Sequence, residues 1–310
     1  MNNLLSRRSL LLRSAAALAG ARMAGITALW GSDLRSKPGV QMYMVAADYQ
    51  KDPAGTLAKL AAIGYGYVEA FTTIISNARD FRTMLANAGL GCPSAHLFFG
   101  AGESTEKLLD EAGALGVHYV VSPTLPPEPP RSSQPAALAE TLNHMTADDF
   151  RRVAALANRI GESARKRGLE YAYHNHNFEF RRVEGGATGY EILLRETDPQ
   201  LVKLEVDAGW MAAGGADPVA LIRANAQRVR LLHFKDFSTV TPPLNDFGSS
   251  AGSHIVDLGT GVAPLKPAYQ AARQAGARYF IVDHDPPFHG QTTMQAAKVD
   301  YKYVAGLLAS

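Results

Sequence analysis

The sequence predicts an α/β fold, a single-domain (β/α)₈ (TIM) barrel, on three observations. Short apolar or β-branched segments alternate with longer helical patterns from Gln41 to the end of the sequence. Glycine precedes several of these segments, at points where a helix should end. None of the segments opens onto a G-x-G-x-x-G helix start, which disfavours an open doubly wound sheet.

Eight segments are predicted as strands, and their starts lie 25 to 52 residues apart, which leaves room for a helix and two loops in each interval. In chain order, the predicted strands are residues 41–46, 67–70, 94–97, 119–121, 171–176, 203–207, 231–235 and 279–283. Residues 122–130 and 239–257 are predicted as loops after the fourth and seventh strands. Both loops would lie on the face where barrel active sites are found.

The N-terminal 36 residues are predicted to be an export signal and linker, ahead of a barrel formed by residues 37–310. Adjacent arginines in Ser6-Arg7-Arg8-Ser9 precede an alanine- and leucine-rich run, as in a twin-arginine signal. Arg13 and Arg22 interrupt this run, so it falls short of the roughly 18 uncharged residues of a spanning helix. We expect a periplasmic or secreted protein with no stable membrane span after signal removal. A Sec signal and a retained anchor are the alternatives.

Composition restricts the classes of partner and site. The 310 residues are 46% hydrophobic, enough for one large core or two modest ones. The net charge is +2, but four arginines lie in the acid-free first thirty residues, and the remainder has a charge of −2. A mildly acidic body argues against a nucleic-acid partner. The single cysteine, Cys92, excludes an intramolecular disulfide and any cysteine-based zinc site.

Polar side chains concentrate on one face of the predicted strands. In the sixth strand Leu204 and Val206 alternate with charged residues, and the apolar set should face the helices. Buried charges are destabilising unless a metal, a substrate or mutual pairing satisfies them. The same alternation directs nine polar residues into the barrel mouth: Glu69, His96, His174, His176, Glu205, Asp207, His233, Lys235 and Asp283.

The chemistry that fits this set is one divalent cation held by imidazole and carboxylate groups. We expect His174, Asp207, His233 and Asp283 as ligands, one from each of the last four strands. Without thiolates the sequence does not choose among Mn²⁺, Co²⁺, Mg²⁺, Fe²⁺ and Zn²⁺. His176 is the alternative ligand to His174, and the other of the two would contact the substrate. Considered alone, His96, His118 and His254 are more often hydrogen-bonded core or rim residues.

Six motifs follow one another in strand order. They are Gly66-Tyr67-Val68-Glu69, Ser94-Ala95-His96, Tyr173-His174-Asn175-His176-Asn177-Phe178-Glu179-Phe180, Glu205-Val206-Asp207-Ala208-Gly209-Trp210, His233-Phe234-Lys235-Asp236 and Val282-Asp283-His284-Asp285. In order and spacing they resemble the sugar phosphate isomerase/epimerase family, a xylose isomerase-like barrel group. That group includes inosose isomerases and dehydratases, hydroxypyruvate isomerase, ketose 3-epimerases and apurinic endonucleases.

The resemblance implies a metal at the barrel mouth, and Asp207 and His233 match two of the family's ligands. His174 stands where the epimerases have a glutamate, as in the branch with the Tyr-His-Asn-His motif. Asp283 stands where a glutamate is usual. Because those two glutamates also move protons in the epimerases, His174 and Asp283 would do so here, or Glu179, His176 or Lys235 would.

The resemblance implies a reaction in which a sugar, keto-sugar or inositol derivative passes through an enediolate. Return of the proton to another carbon or another face gives an isomerase or epimerase, and loss of a β-substituent gives a lyase or dehydratase. Lys235 is the candidate to stabilise oxyanion charge. Glu69, His96, His176, Glu205 and Trp210 are candidates to bind the substrate, with a salt bridge to Lys203 or Lys235 as the alternative for Glu205.

Two further classes are weighed against an isomerase. An apurinic endonuclease is disfavoured by the acidic mature chain and the export signal. A non-catalytic periplasmic carbohydrate-binding protein remains as an alternative, since His174 and Asp283 depart from the family's catalytic carboxylates. The sequence leaves a homo-oligomer open. Phosphate recognition by Gly259-Thr260-Gly261 is disfavoured, because isolated glycine pairs usually mark turns.

Overall fold

Eight parallel strands pair into a closed barrel in the computed structural model, which describes residues 36–100, 102–127 and 135–310. The barrel strands are β1 (Gly39–Gln41), β2 (Tyr67–Phe71), β3 (Gly91–His96), β4 (Tyr119–Ser122), β5 (Glu170–His174), β6 (Val202–Asp207), β7 (Val229–Phe234) and β10 (Tyr279–Val282). The order around the barrel is β1-β2-β3-β4-β5-β6-β7-β10, and β10 pairs back onto β1. The predicted single-domain (β/α)₈ barrel is confirmed, whereas the predicted signal lies outside the described residues.

Helices connect successive strands and cover the outside of the barrel. They are α1 (Ala46–Lys51), α2 (Pro53–Ile63), α3 (Ala78–Ala88), α4 (Thr105–Leu115), α5 (Pro135–Asn143), α6 (Ala147–Lys166), α7 (Gly189–Glu196), α8 (Ala208–Ala213), α9 (Pro218–Ala224), α10 (Ser249–Gly252), α11 (Leu265–Gln274) and α12 (Thr293–Leu308). None of the helices in the described part of the chain is long and apolar enough to cross a membrane.

Local sequence explains where several helices begin and end. The side chain of Asp52 accepts the Gly55 N–H at 2.9 Å, and Pro53 occupies the first turn of α2. Helix α3 ends at Ala88 and is capped by Gly89, whose φ of 70° suits a residue without a Cβ. These stop signals before the strands are the ones that the sequence pattern used.

The interior of the barrel is filled at its amino-terminal end. Tyr67, Tyr119, Val121, Ala172, Leu231 and Ile281 form a separate buried cluster there. The Tyr67 hydroxyl donates to the Phe280 carbonyl at 3.0 Å and accepts the Phe280 N–H at 2.7 Å. Leu204, Val206, Leu232 and Phe234 instead belong to the large core between strands and helices. The predicted outward face of β6 is therefore confirmed, and Leu232 and Phe234 give β7 the same outward face.

The predicted first strand, residues 41–46, is wrong beyond its first residue. Strand β1 ends at Gln41, a 3₁₀ helix follows over Met42–Val45, and α1 begins at Ala46. The Gln41 side chain accepts the Tyr43 N–H at 2.8 Å and turns the chain away from the sheet. Met42, Met44 and Val45 are buried either way, so burial alone did not distinguish a strand from a tight helix.

The segment after β7 is more ordered than the loop predicted for residues 239–257. Strand β8 (Asp236–Phe237) pairs antiparallel with β9 (Ile255–Val256), and α10 lies between them. Strands β5, β7 and β10 also end one or two residues before the predicted bounds. His176, Lys235 and Asp283 therefore lie just beyond their strands, at the mouth.

Candidate metal centre and substrate cavity

Two buried carboxylates lie beneath the mouth of the barrel. Glu69 from β2 and Glu205 from β6 are both fully buried, and the His96 Nε2 lies 2.9 Å from the Glu69 Oε2 and 2.8 Å from the Glu205 Oε2. The His233 Nε2 lies 2.8 Å from the Glu69 Oε2, and the His174 Nδ1 lies 3.0 Å from the Glu205 Oε2. Imidazoles, not Lys203 or Lys235, neutralise Glu205, so the alternative of a lysine salt bridge is wrong.

The same contacts leave one ring nitrogen of each of two histidines for a metal. When Glu205 holds the His174 Nδ1–H, the Nε2 of that ring is a free acceptor. The His233 Nε2 lies against the Glu69 Oε2 at 2.8 Å, and the Nδ1 on the other side of the ring lies 3.2 Å from the Asp283 Oδ2. Carboxylates that fix the tautomer of a histidine in this way are typical of metal sites.

Asp207 completes the set with an unpartnered oxygen. Its Oδ1 accepts the Trp210 N–H at 2.8 Å, and its buried Oδ2 has no hydrogen-bond partner among the described residues. Potential ligand atoms of His174, Asp207, His233 and Asp283 all lie within 4.8 Å of one another. The structure thus brings the four predicted ligands together, and the donor set of two imidazoles and two carboxylates fits a divalent cation.

Electrostatics follow from burial and from these pairs. Burial lowers the pKa of His96, but the charges of Glu69 and Glu205 outweigh burial and raise it to about 9. Burial raises the pKa of Asp207 to about 7, although the Lys235 charge acts in the opposite direction. Burial lowers the pKa of His174 well below its usual value, so this ring is neutral and available as a ligand.

Lys235 places a buried ammonium at the edge of the proposed ligand set. Its Nζ lies 3.3 Å from the Asp283 Oδ1, 3.0 Å from the Asp285 Oδ2 and 5.4 Å from the centre of the Trp210 ring. Burial lowers the pKa of this lysine, but the charges of Asp283 and Asp285 outweigh burial and raise it. A permanent positive charge here can stabilise developing negative charge on a substrate oxygen.

A cavity of about 390 Å³ opens above these groups. Of the predicted site residues, His96, His174, His176, Trp210, Lys235 and Asp283 line it. Burial lowers the pKa of His176 to about 3, so its ring meets a substrate in the neutral form. Phe98 also lines the cavity, whereas the neighbouring Phe99 is buried against Tyr171.

Glu179 does not line the cavity, although its place in the Tyr-His-Asn-His motif suggested proton transfer. It is fully buried, its Oε1 accepts the Tyr173 hydroxyl at 2.9 Å, and its Oε2 accepts the His176 N–H at 3.0 Å. Burial raises the pKa of Glu179 to about 8. The carboxyl group therefore supports the backbone of His176 from behind.

Two asparagines hold the segment after β8 against the cavity. The Asn177 Nδ2 donates to the Leu244 and Asp246 carbonyls at 2.7 and 2.9 Å. The Asn143 side chain accepts the Phe247 N–H at 2.6 Å and donates to the Phe247 carbonyl at 3.0 Å. We call residues 244–248 the strap; Phe247 and Gly248 of the strap line the cavity.

The glycines considered for phosphate binding have other partners. The Gly259 and Gly261 N–H groups donate to the Asp236 Oδ2 at 2.9 and 3.0 Å, and the Ala263 N–H donates to the Asp236 Oδ1 at 3.0 Å. These backbone donors are therefore already bound by a carboxylate, in agreement with a turn.

Several cavity residues were missed by the sequence reasoning. Gln41, whose Nε2 donates to the Glu69 Oε2 at 3.1 Å, was predicted only as the start of the first strand and belongs to none of the six motifs. Asp285 was quoted in a motif without a role. A polar residue at the end of β1 and the third position of Asp283-His284-Asp285 were the available signals. Phe247 had none, because only long-range contacts bring the strap to the cavity.

Known proteins resemble this chain in sequence and in fold. Residues 57–298 match the family described as Xylose isomerase-like TIM barrel. An inosose dehydratase of Lacticaseibacillus casei is 28% identical over 154 residues, 46% of this chain and 50% of that protein. The chain thus matches about half the length of this curated relative.

Solved structures extend the likeness over the whole barrel. A sugar phosphate isomerase/epimerase of Parabacteroides distasonis is 25% identical with a TM-score of 0.70, covering 87% of this chain and 93% of that one. A xylose isomerase-like TIM barrel protein of Mycobacterium smegmatis in complex with magnesium is 17% identical with a TM-score of 0.57, covering 88% and 96%. Since the family match spans most of the closed barrel, the chain belongs to the xylose isomerase-like TIM barrel family.

Proposed function

We propose that the protein is a divalent-metal-dependent isomerase or epimerase of a sugar, keto-sugar or inositol derivative. The observation that supports this most directly is the unpartnered, buried Asp207 Oδ2 beside His174, His233 and Asp283 at the edge of a ligand-sized cavity. A divalent ion there would polarise a substrate carbonyl and stabilise the negative charge that develops when the neighbouring carbon loses its proton.

The residues of the chain have separate tasks in this proposal. Glu205 fixes the tautomer of His174, Glu69 places a negative charge beside the His233 ring, and both carboxylates remain buried beneath the site. The Lys235 Nζ holds a positive charge, and a proton, toward the substrate oxygen. The neutral ring of His176 contacts substrate hydroxyl groups, and Glu179 positions that ring through the backbone N–H.

A metal-dependent dehydratase is the second candidate, and the inosose dehydratases among the relatives favour it. Both reactions begin with removal of the proton next to the carbonyl. In the dehydratase the electron pair then expels a β-hydroxide, which leaves as water after protonation and yields a conjugated enone. A non-catalytic carbohydrate-binding protein is the third candidate.

Proton exchange with solvent tests the proposal. We expect the Mn²⁺-loaded protein to incorporate deuterium from D₂O into a keto-inositol or a ketohexose, observed by ¹H NMR. An isomerase or epimerase yields a labelled isomer, whereas a dehydratase yields an enone absorbing in the near ultraviolet. Lys235→Met should abolish exchange and retain the metal, and Lys203→Met, whose Nζ contacts the Pro199 carbonyl, is the matched control. A native protein that binds no metal and exchanges no proton would contradict the proposal and favour carbohydrate binding.

We further propose that export by the twin-arginine route places this enzyme outside the cytoplasm. The support is the Arg7-Arg8 pair before an interrupted apolar run. Residues 1–40 fused to a folded reporter should direct it to the periplasm, and Arg7→Lys with Arg8→Lys should retain it inside. Unchanged export of the double variant would contradict this route.

A further inference from the structure

Two groups of aromatic side chains border the cavity. The first wall comprises Tyr43, Phe71 and Phe98, with ring centres 5.2 Å apart for Tyr43 and Phe71 and 5.4 Å apart for Phe71 and Phe98. The second wall comprises His176, Trp210 and Phe247. The His176 ring lies 5.5 Å from Trp210 and 5.0 Å from Phe247. Each wall is thus a continuous aromatic surface.

The order of strands sets the two walls opposite each other. The first wall comes from the end of β2 and the segments after β1 and β3, and the second comes from the segments after β5, β6 and β7. In the closed barrel β2 and β6 are separated by three strands in either direction. A ligand that enters the mouth therefore passes between two aromatic surfaces.

The polar groups occupy a different part of the same cavity. His174 is the last residue of β5, and Lys235 and Asp283 directly follow β7 and β10. Tyr43 and Phe98 stand two residues beyond their strand ends, and Phe247 belongs to the strap. Tyr43 is 44% exposed, so the first wall reaches the rim of the barrel. Tyr43, Phe98 and Phe247 therefore place aromatic surface outside the polar groups at the strand ends, and Phe71, the last residue of β2, joins Tyr43 to Phe98.

Size and polarity together indicate a ligand with two parts. A volume of about 390 Å³ lies within the range of sites that enclose drug-sized ligands, about 300–1,000 Å³. A hydroxylated ring at the polar groups would leave the outer aromatic surface facing water, which is unfavourable for apolar area. A flat apolar group between the walls would remove that area from water on both of its faces.

We infer that the cavity holds a subsite for an apolar, ring-shaped substituent, so that the substrate is a sugar or cyclitol joined to an aryl-type group. This inference rests on the proposed function for the polar end, where the hydroxylated ring would meet Lys235 and the metal ligands. The substituent lies between Phe71 of the first wall and Phe247 of the second, and Phe247 depends on Asn143 for its position.

Paired glycosides test the subsite. The protein is treated with Mn²⁺ and titrated calorimetrically with pairs of phenyl and methyl glycosides. The two members of each pair carry the same sugar, glucose or galactose, in the same anomeric form, and both anomers are tested. We expect the phenyl compound to bind about tenfold more tightly or better, because only it buries a ring between the walls. Phe71→Leu and Phe247→Leu should each reduce this preference severalfold. Phe288→Leu is the matched control, since Phe288 contacts His284 and does not line the cavity.

The outcomes separate the subsite from the proposed function. Equal affinity for phenyl and methyl glycosides, or binding of neither, overturns the subsite, as does a preference that survives both wall substitutions in folded protein. A native protein that prefers the phenyl compound but binds no metal overturns the proposed function and supports the subsite. Metal-dependent proton exchange without any preference for the phenyl compound supports the proposed function and overturns the subsite.

Discussion

Replacing Asp207 by asparagine should separate metal binding from folding, because the two carboxylate oxygens of Asp207 have different contacts. The Oδ1 accepts the Trp210 N–H and caps α8, whereas the buried Oδ2 has no partner among the residues that the structure describes. Asparagine keeps an acceptor for the cap and removes the charge. We expect Asp207→Asn to fold and to lose most of its affinity for divalent metal.

The size of the expected change in stability follows from the thermodynamic linkage between metal binding and folding. A metal at 100 times its dissociation constant stabilises the native protein by about 2.7 kcal/mol, which corresponds to about 5–10 °C in melting temperature. Loss of a ligating carboxylate should weaken binding by about 100-fold or more, because loss of a residue that only supports a ligand already costs about 10–100-fold. At the same metal concentration about 0.4 kcal/mol of stabilisation would remain.

Without metal the order of stability should reverse. Burial raises the pKa of Asp207 from its usual 3.8 to about 7. A carboxyl group whose pKa is higher in the folded than in the unfolded protein contributes stability that is fully present below pH 3.8. This stability is lost as the pH rises through 7. At pH 8 in EDTA, Asp207→Asn should therefore be at least as stable as the native protein.

Thermal unfolding at pH 8, in EDTA and then with added Mn²⁺, checks both statements beside metal analysis. Asp217→Asn is the matched control, since Asp217 caps α9 through the Val219 and Ala220 N–H groups and is exposed. It should keep the full metal-induced shift. An undiminished shift in Asp207→Asn would refute the reasoning, and so would a large loss of its stability in EDTA.

Three further predictions concern groups behind the cavity. Asn177→Ala should leave two strap carbonyls without their donor, destabilise the fold by about 1–3 kcal/mol and speed proteolytic cleavage near residue 245; cleavage at the native rate would contradict the role of this amide. Burial raises the pKa of Glu179 from its usual 4.5 to about 8, so the stability contributed by its neutral form should fall between those pH values. Glu179→Gln should flatten that fall in urea unfolding at pH 5 and 8.5 in EDTA, and parallel curves for the two proteins would count against it. A Cβ on Gly209 would overlap the Lys235 carbonyl, so Gly209→Ala should lower the melting temperature and impair proton exchange. Gly113→Ala, on an open helix surface, is the control and should be neutral or stabilising. Similar melting temperatures for the two variants would exclude the overlap.

Periodicity was sufficient to predict the barrel and the direction of its strands. Alternation along β6 separated Leu204 and Val206 from Glu205 and Asp207, and the structure places the two sets in different environments. The predicted ligands converge because parallel strands end at one mouth of the barrel. The type of each residue and its position in its strand were therefore enough to predict the ligand set.

Contacts between distant segments could not be predicted in the same way. The partner of Glu205 was open between lysine and other groups, because its pairing with His96 depends on the barrel register. Glu179 belongs to a motif rich in functional residues, yet a 3₁₀ turn over Phe178–Phe180 directs its carboxyl group behind His176. Phe247 reaches the cavity on a strap whose backbone is bound by Asn143 and Asn177, both far away in sequence.

The pairing of β1 with β10 joins the two ends of the barrel sequence, with Gly39 opposite Ile281 and Val40 opposite Val282. Contacts this far apart along the chain are slow to form, because loop closure is entropically unfavourable until many other contacts exist. Asp283 follows β10 directly, so the four proposed ligands meet only when the ring of strands is complete. A metal that binds all four would therefore select the fully closed barrel over partly folded forms, and release of the last strand would open the site and the fold together.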